Sequence, residues 1–283
     1  MLSRAGYQPP FGVDYGARVV SRVTGAVAVV TGASSGIGAA TAVELARRGA
    51  TVVGVARRAT ELEHTMAACR THTAACYGEV ADVADRAAAG HVVTAAIERY
   101  GRVDIVVNNA GISLHKNAGQ TTVVEIEHLF AVNFFGAVYL TMAALPAMLA
   151  RGSGSIVNVT SVAGYLPNPG EAAYGASKAA LSLWSHGLAV DLHDSGVHVG
   201  VLSPGPIDTE IWLKDASAAT YRGRLFPPDV VAQGVARMIE GRRTHLTVPR
   251  RYGAVGALYP LLGRPMRWGL RAFAARGQRA AQR

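Results

Sequence analysis

The sequence predicts an α/β protein built on a doubly wound parallel sheet of about seven strands. Three observations carry that expectation. From about Gly25 onward, short apolar runs alternate with helix-length segments, and repeated strand–helix units imply parallel strands joined by right-handed crossovers. The runs are unbroken stretches of Val, Ile and Ala, the pattern of strands covered on both faces rather than one. Glycine and aliphatic residues dominate while aromatics make up only 7% of the 283 residues, which disfavours a β-sandwich.

In chain order, strands are expected at residues 26–31, 51–56, 74–79 (the weakest), 105–108, 155–160, 197–202 and 245–249. Helical segments between them include 39–48 and 86–100. No repeat and no internal linker is visible. One domain is therefore expected over residues 25–250, preceded by an N-terminal arm (1–24) and followed by a basic extension (251–283).

Half the residues are hydrophobic, ample for a buried core. Two cysteines, Cys69 and Cys76, imply no disulfide framework and suggest a reducing, cytoplasmic setting. The first residues contain Pro9, Pro10 and Asp14 and lack the apolar stretch of a signal peptide. No run approaches the roughly 18 apolar residues of a membrane span, so a soluble chain, or one attached to a membrane surface, is expected. The net charge of +9 is local: from Gly241 onward there are ten Arg and no Lys, Asp or Glu. The remainder is nearly balanced, so the fold itself carries no sign of a nucleic-acid partner.

The first run ends in Thr31-Gly32-Ala33-Ser34-Ser35-Gly36-Ile37-Gly38 and passes directly into a helix. Glycines allow a tight turn and close backbone approach to a pyrophosphate, and the helix presents free N–H groups to it. An ordinary Gly/Ser turn is the alternative, and the strand before and helix after argue against it. About 20 residues on, where an NAD enzyme places an acidic residue on the ribose 2′-hydroxyl, the second run ends in Arg57-Arg58. A guanidinium pairs with a 2′-phosphate, so NADP(H) is expected, chiefly through Arg57, with NAD(H) as the alternative. Two solvated arginines at a helix start would look the same.

Tyr174-Gly175-Ala176-Ser177-Lys178 sets a phenol and an ammonium four residues apart, on one face if the stretch is helical. A carbonyl reduced by hydride needs a proton, and an alcohol being oxidised needs a base. A cation beside a phenol favours the phenolate and lowers its pKa. Tyr-x3-Lys alone is common, but Ser161 closes the strand ending near Thr160, where its hydroxyl can bind the same oxygen. Asn133 lies in an apolar helix, where an amide is costly unless hydrogen-bonded. It is either a satisfied core residue or part of the site.

Together these motifs resemble the short-chain dehydrogenase/reductase family, over about residues 26–249 and in the family's order. The resemblance implies a Rossmann-like single domain and an Asn133–Ser161–Tyr174–Lys178 tetrad. In it Tyr174 is the acid/base, Lys178 tunes it and holds the nicotinamide ribose, and Ser161 polarises the carbonyl. Asn133 would hold a water that passes protons to Lys178. Gly32, Ser34, Ser35, Gly36, Ile37 and Gly38 would meet the pyrophosphate side. Asp82 and Val83 would contact adenine, although Asp82 reads equally as the N-cap of the helix starting near Arg86. Asn109 would brace the sheet and line the cofactor, and Pro204, Gly205, Ile207 and Thr209 would form a turn at the carboxamide. Ser35 departs from the pattern, standing where NADP enzymes of the family often carry a basic residue. The resemblance also implies a homodimer or homotetramer paired through the helices carrying Asn133 and Tyr174.

The expected function is hydride transfer between NAD(P) and a small-molecule carbonyl or alcohol. A silent nucleotide sensor or scaffold, and an isomerase or dehydratase, are the alternatives; a silent protein should have lost Tyr174 or Lys178. Ile211, Trp212, Leu213, Tyr221, Leu225 and Phe226, with Tyr165, Leu166 and Pro167, suggest a lipophilic substrate or plain packing. His186, His193 and His198 show no metal-ligand spacing, and no metal site is expected. Asn158-Val159-Thr160 matches a glycosylation sequon but falls in an expected buried strand. In the tail, Met266, Leu270 and Phe273 group beside Arg264, Arg267 and Arg271 on a helical projection. Peripheral membrane contact, docking on the protein or a solvated end each fit that pattern.

Overall fold

The computed structural model describes residues 23–210 and 224–253, together with Gly263. Seven strands form one parallel sheet: β1 (Val27–Thr31), β2 (Thr51–Ala56), β3 (Tyr77–Val80), β4 (Ile105–Asn108), β5 (Gly154–Val159), β6 (Val197–Pro204) and β7 (His245–Val248). Their order is β3-β2-β1-β4-β5-β6-β7. The chain therefore builds outward from β1 to β3, returns, and lays β4 against the other side of β1. The crevice where the direction reverses lies beyond the carboxyl ends of β1 and β4, the usual place for a ligand in such sheets.

Helices α1 (Gly36–Arg47), α2 (Ala59–Arg70) and α7 (Asp229–Gly241) cover one face. Helices α3 (Arg86–Tyr100), α5 (Gly136–Arg151) and α6 (Ala172–Asp191) cover the other. Ala28 and Val30 of β1 pack with Leu45, Leu62 and Val235, whereas Val27 and Val29 pack with Val93, Leu140 and Ala144. Every position of β1 is thus buried, which is why its sequence does not alternate.

Two strand boundaries differ from expectation. β3 starts at Tyr77, not near 74, because a turn closes from the Cys76 N–H to the Thr73 carbonyl and Cys76 meets β2 through its sulfur, which accepts from the Val52 N–H at 3.2 Å. β6 runs on through Pro204 because β7 continues beside it, pairing Ser203 with Thr247 and Pro204 with Val248. Helix α4 (Val123–Phe130), the wider turn Ala131–Phe135 and α5 form one helical stretch, Val123–Arg151. It is long and apolar enough to cross a membrane by length and composition, but half of its most apolar window is buried inside the protein, as in a core helix.

Candidate active site

The β1–α1 loop is shaped by close contacts that only glycine permits. A Cβ on Gly38 would lie 2.1 Å from the Gly32 carbonyl oxygen, and one on Gly32 would lie 2.8 Å from Asn109 Nδ2. Gly32 also has φ +68°, which a side chain would strain. Asn109 binds the loop directly: Nδ2 donates to the Thr31 carbonyl at 2.9 Å, while Thr31 Oγ1 accepts from the N–H groups of Asn109 and Ala110, both at 3.0 Å. The Ser35 side chain makes no capping bond to α1, so the helix start keeps its N–H groups for another acceptor.

Arg58, not Arg57, carries the cation onto this loop. Its Nη2 donates to Ser35 Oγ at 2.7 Å and to Ser34 Oγ at 3.3 Å. Arg57 points outward, with Nη1 3.5 Å from Asp82 Oδ2. The cation missing from position 35 is thus supplied in space by Arg58. The loop glycines, the two serines and the start of α1 fit the pyrophosphate of a nicotinamide dinucleotide.

The remaining expected cofactor residues take the following places. The N-cap of α3 is Asp85, not Asp82; its Oδ1 accepts from the Ala87 and Ala88 N–H groups at 2.8 and 3.1 Å. Asp82 accepts from the Ala84 N–H at 3.0 Å. The side chains of Val83 and Ile207 belong to the two core clusters. Thr209 lies against the glycine loop, with Cγ2 3.0 Å from where a Gly36 Cβ would stand. Pro204 is buried, and Gly205 packs beneath the Tyr252 ring.

The four expected catalytic residues come from three parts of the chain. Tyr174 and Lys178 occupy the first turns of α6, Ser161 follows β5, and Asn133 sits in the wide turn between α4 and α5. Such turns often accompany functional sites. Gly164 and Gly175 let the Ser161 turn and α6 touch: a Cβ on Gly175 would stand 2.7 Å from the Ala163 carbonyl oxygen. The Ser161 hydroxyl accepts from the Ala163 N–H at 3.1 Å and stands near enough to the Tyr174 phenol to favour its ionised form.

Asn133 is almost fully buried and fully engaged. Its Nδ2 donates to the Ile112 carbonyl and to Ser177 Oγ, each at 3.0 Å, and its Oδ1 accepts from the Ile112 N–H at 2.8 Å. Ser177 in turn donates to the Tyr174 carbonyl at 2.8 Å. Lys178 is 4% exposed and donates to the Val159 carbonyl at 3.1 Å. A Cβ on Gly111 would stand 3.2 Å from both Asn133 Oδ1 and Lys178 Nζ. The glycine leaves a gap shared by the amide oxygen and the amine.

Burial dominates the electrostatics. It pushes the Tyr174 phenol up to about 12; the nearby Ser161 hydroxyl works against this and the Glu171 carboxylate adds to it. Burial also pulls the Lys178 amine down to about 8. The amine donates to the Val159 carbonyl, a neutral acceptor.

Several contributors were not anticipated from the sequence. Asn108 Nδ2 donates to Asn158 Oδ1 at 2.8 Å and to Thr141 Oγ1 at 2.9 Å, and Asn158 Nδ2 donates to Ser185 Oγ at 2.7 Å. This chain of amides links β4, β5, α5 and α6 beneath the site. Asn158 is wholly buried, consistent with discounting the sequon. His115 and Glu171 pair at 2.9 Å beside the start of α6. Among the expected apolar wall residues, Phe226 packs against the core under Arg224 and Arg251, and Leu225 is exposed. Tyr165 meets Thr247 through its hydroxyl at 3.4 Å. Ile211, Trp212, Leu213 and Tyr221 lie outside the described residues, as do the tail positions 264–273. His198 is buried between Ser155 and the Arg243 carbonyl, His186 stacks on His245, and His193 is exposed beside Asp194.

Comparison with known proteins agrees with this geometry. The short chain dehydrogenase family matches residues 26–219. Ketoacyl reductase HetN of Nostoc sp. is 32% identical over 230 residues, covering 81% of this chain and 80% of that protein. The 2-(R)-hydroxypropyl-CoM dehydrogenase of Xanthobacter autotrophicus is 40% identical over 198 residues, covering 67% and 78%. An alcohol dehydrogenase from the archaeon Thermococcus sibiricus, solved in complex with 5-hydroxy-NADP, superimposes with a TM-score of 0.70 at 27% identity, covering 78% of this chain and 95% of that one. On the family match, the sheet order and the assembled site, this chain belongs to the short-chain dehydrogenase/reductase family of oxidoreductases.

Proposed function

We propose that this protein is an NADP(H)-preferring carbonyl reductase or alcohol dehydrogenase in which Tyr174 gives or takes the proton of the substrate oxygen. The observation that carries the reading is the packing of the Ser161 turn against the first turn of α6, which sets Ser161, Tyr174 and the buried Lys178 amine together at the carboxyl end of β5. Two hydroxyls at one point can both donate to an oxygen that becomes an alkoxide, and one such donor is worth roughly 3 kcal/mol. The bound nicotinamide supplies or accepts the hydride. Ser161 and Tyr174 hold the oxygen, and Lys178, four residues along the helix, sets its amine beside the Gly111 gap. Protonated, Lys178 stabilises the phenolate that remains after proton donation.

NADP(H) preference is supported by Arg58 on the serines of the glycine loop and by Arg57 beside it. A lipophilic substrate is supported by Tyr165, Leu166, Pro167 and Leu225; Phe226, the other described member of the apolar set, packs against the core. A second copy of the chain would cover the stripe Phe135, Met142 and Leu149 and the neighbouring Leu183 and Val190, all exposed. The arginine-rich tail would add peripheral membrane contact, tested by liposome co-sedimentation with and without residues 252–283.

The test is NADPH oxidation over a panel of lipophilic ketones and aldehydes with wild type and Tyr174→Phe. Turnover should fall by roughly a hundredfold or more in the variant with NADPH binding retained. Undiminished turnover would remove Tyr174 from the proton step.

A further inference from the structure

Arg58 is held from two sides. While Nη2 faces the serines of the glycine loop, Nη1 lies 3.0 Å from Glu210 Oε2 and 3.4 Å from Glu61 Oε1. Glu61 is one turn along α2, a local neighbour. Glu210 comes from the far side of the switch point, just past β6. Its approach is fixed by Thr209, whose methyl group abuts Gly36 of the same loop. The sequence lacks a carboxylate at the end of β2, where an NAD enzyme binds the ribose 2′-hydroxyl. The fold brings one to that guanidinium from another strand.

We propose that Glu210 is a cofactor-discriminating residue: its carboxylate competes with the 2′-phosphate of NADP(H) for Arg58 and so narrows the preference over NAD(H). This rests on the reading that Arg58 binds the 2′-phosphate. A phosphate arriving at Ser34, Ser35 and Arg58 needs donors that Glu210 already uses, and it meets a like charge within a few ångströms. A 2′-hydroxyl carries no charge and can donate to the same carboxylate. Glu210 therefore opposes one cofactor and tolerates or aids the other. Both partners are partly exposed, with side chains 35% and 45% accessible, so the effect is modest and salt-sensitive.

The experiment titrates NADPH and NADH by fluorescence into the full-length wild type, Glu210→Gln, Arg58→Gln and Arg57→Gln, with circular dichroism confirming the fold of each. Glu210→Gln should bind NADPH roughly two- to fivefold tighter, with NADH unchanged or weaker, and the difference should shrink at high salt. Should Arg58→Gln lose NADPH selectively while Glu210→Gln leaves the ratio unchanged or narrower, the role of Glu210 is wrong and the NADP(H) reading stands. Should the Arg58 and Arg57 variants weaken both cofactors alike, the NADP(H) reading fails and takes the competition with it.

Discussion

Lys178 Nζ donates to the Val159 carbonyl oxygen at 3.1 Å from a position only 4% exposed. The amine is thus fixed to the end of β5 by a neutral acceptor while burial holds it near 8. Because the folded value lies below the ordinary lysine value of about 10.4, the unfolded chain binds more protons between those limits. Stability should rise with pH from about 8 to about 10 through this group, and its cost should be complete below 8. Denaturant titrations of wild type and Lys178→Met at pH 7.5 and 9.5 check it. The wild type should gain, relative to the variant, on the order of 1–3 kcal/mol; a parallel response would show that Lys178 is not buried as a cation.

Tyr174 titrates in the opposite sense. Its folded value is raised to about 12, above the unfolded value of about 10. Its contribution to stability is present below pH 10 and lost as pH climbs from 10 to 12. In the cofactor-free protein, the absorbance difference between wild type and Tyr174→Phe should show no phenolate through about pH 11. Glu171→Gln should bring the transition down, and Ser161→Ala should raise it. A phenolate near neutral pH in the unliganded protein would contradict the burial seen here.

Asn133 holds both backbone groups of Ile112. Asn133→Ala leaves the partly buried N–H and carbonyl of Ile112 without this partner, at a cost of about 1–2 kcal/mol, read by chemical denaturation. The same change removes the donor to Ser177, which steadies the first turn of the Tyr174 helix. Turnover should therefore fall further than the stability loss alone would cause at temperatures where the variant is fully folded.

Gly175 tests the contact that sets the Ser161 turn against the Tyr174 helix. Gly175→Ala drives a methyl group into the Ala163 carbonyl and must part α6 from the Ser161 turn. Turnover should drop by roughly tenfold to a hundredfold, since small misplacements of reacting groups are costly. The affinity for NADPH should change much less. Equal losses in both would indicate general unfolding rather than separation of Ser161 from Tyr174.

Much of this was legible in the sequence because the signals are local. Unbroken valine runs reported strands buried on both faces, and Tyr174 with Lys178 needed only one helical turn to meet. The glycine loop likewise declared itself between a strand and a helix. What stayed hidden depends on distance across the fold. Arg57 and Arg58 are adjacent letters, and only the direction of the turn after β2 sends Arg58 to the serines and Arg57 to Asp82. Asp82 and Asp85 are likewise interchangeable in sequence as caps, and geometry selects the second. The raised pKa of Tyr174 could not be read from its neighbours in the chain, because burial sets it and burial is a property of the whole packing. The link from Asn108 through Asn158 to Ser185 spans residues far apart in number, each of which looks unremarkable alone.

That link of amides has a consequence for how the enzyme can change. It pins the middle strands to one another from inside, so the reacting centre is indexed to the floor of the sheet rather than to the loops above it. The exposed residues 167–169 can then be rewritten while Ser161, Tyr174 and Lys178 keep their places. Floor and rim are mechanically separable here.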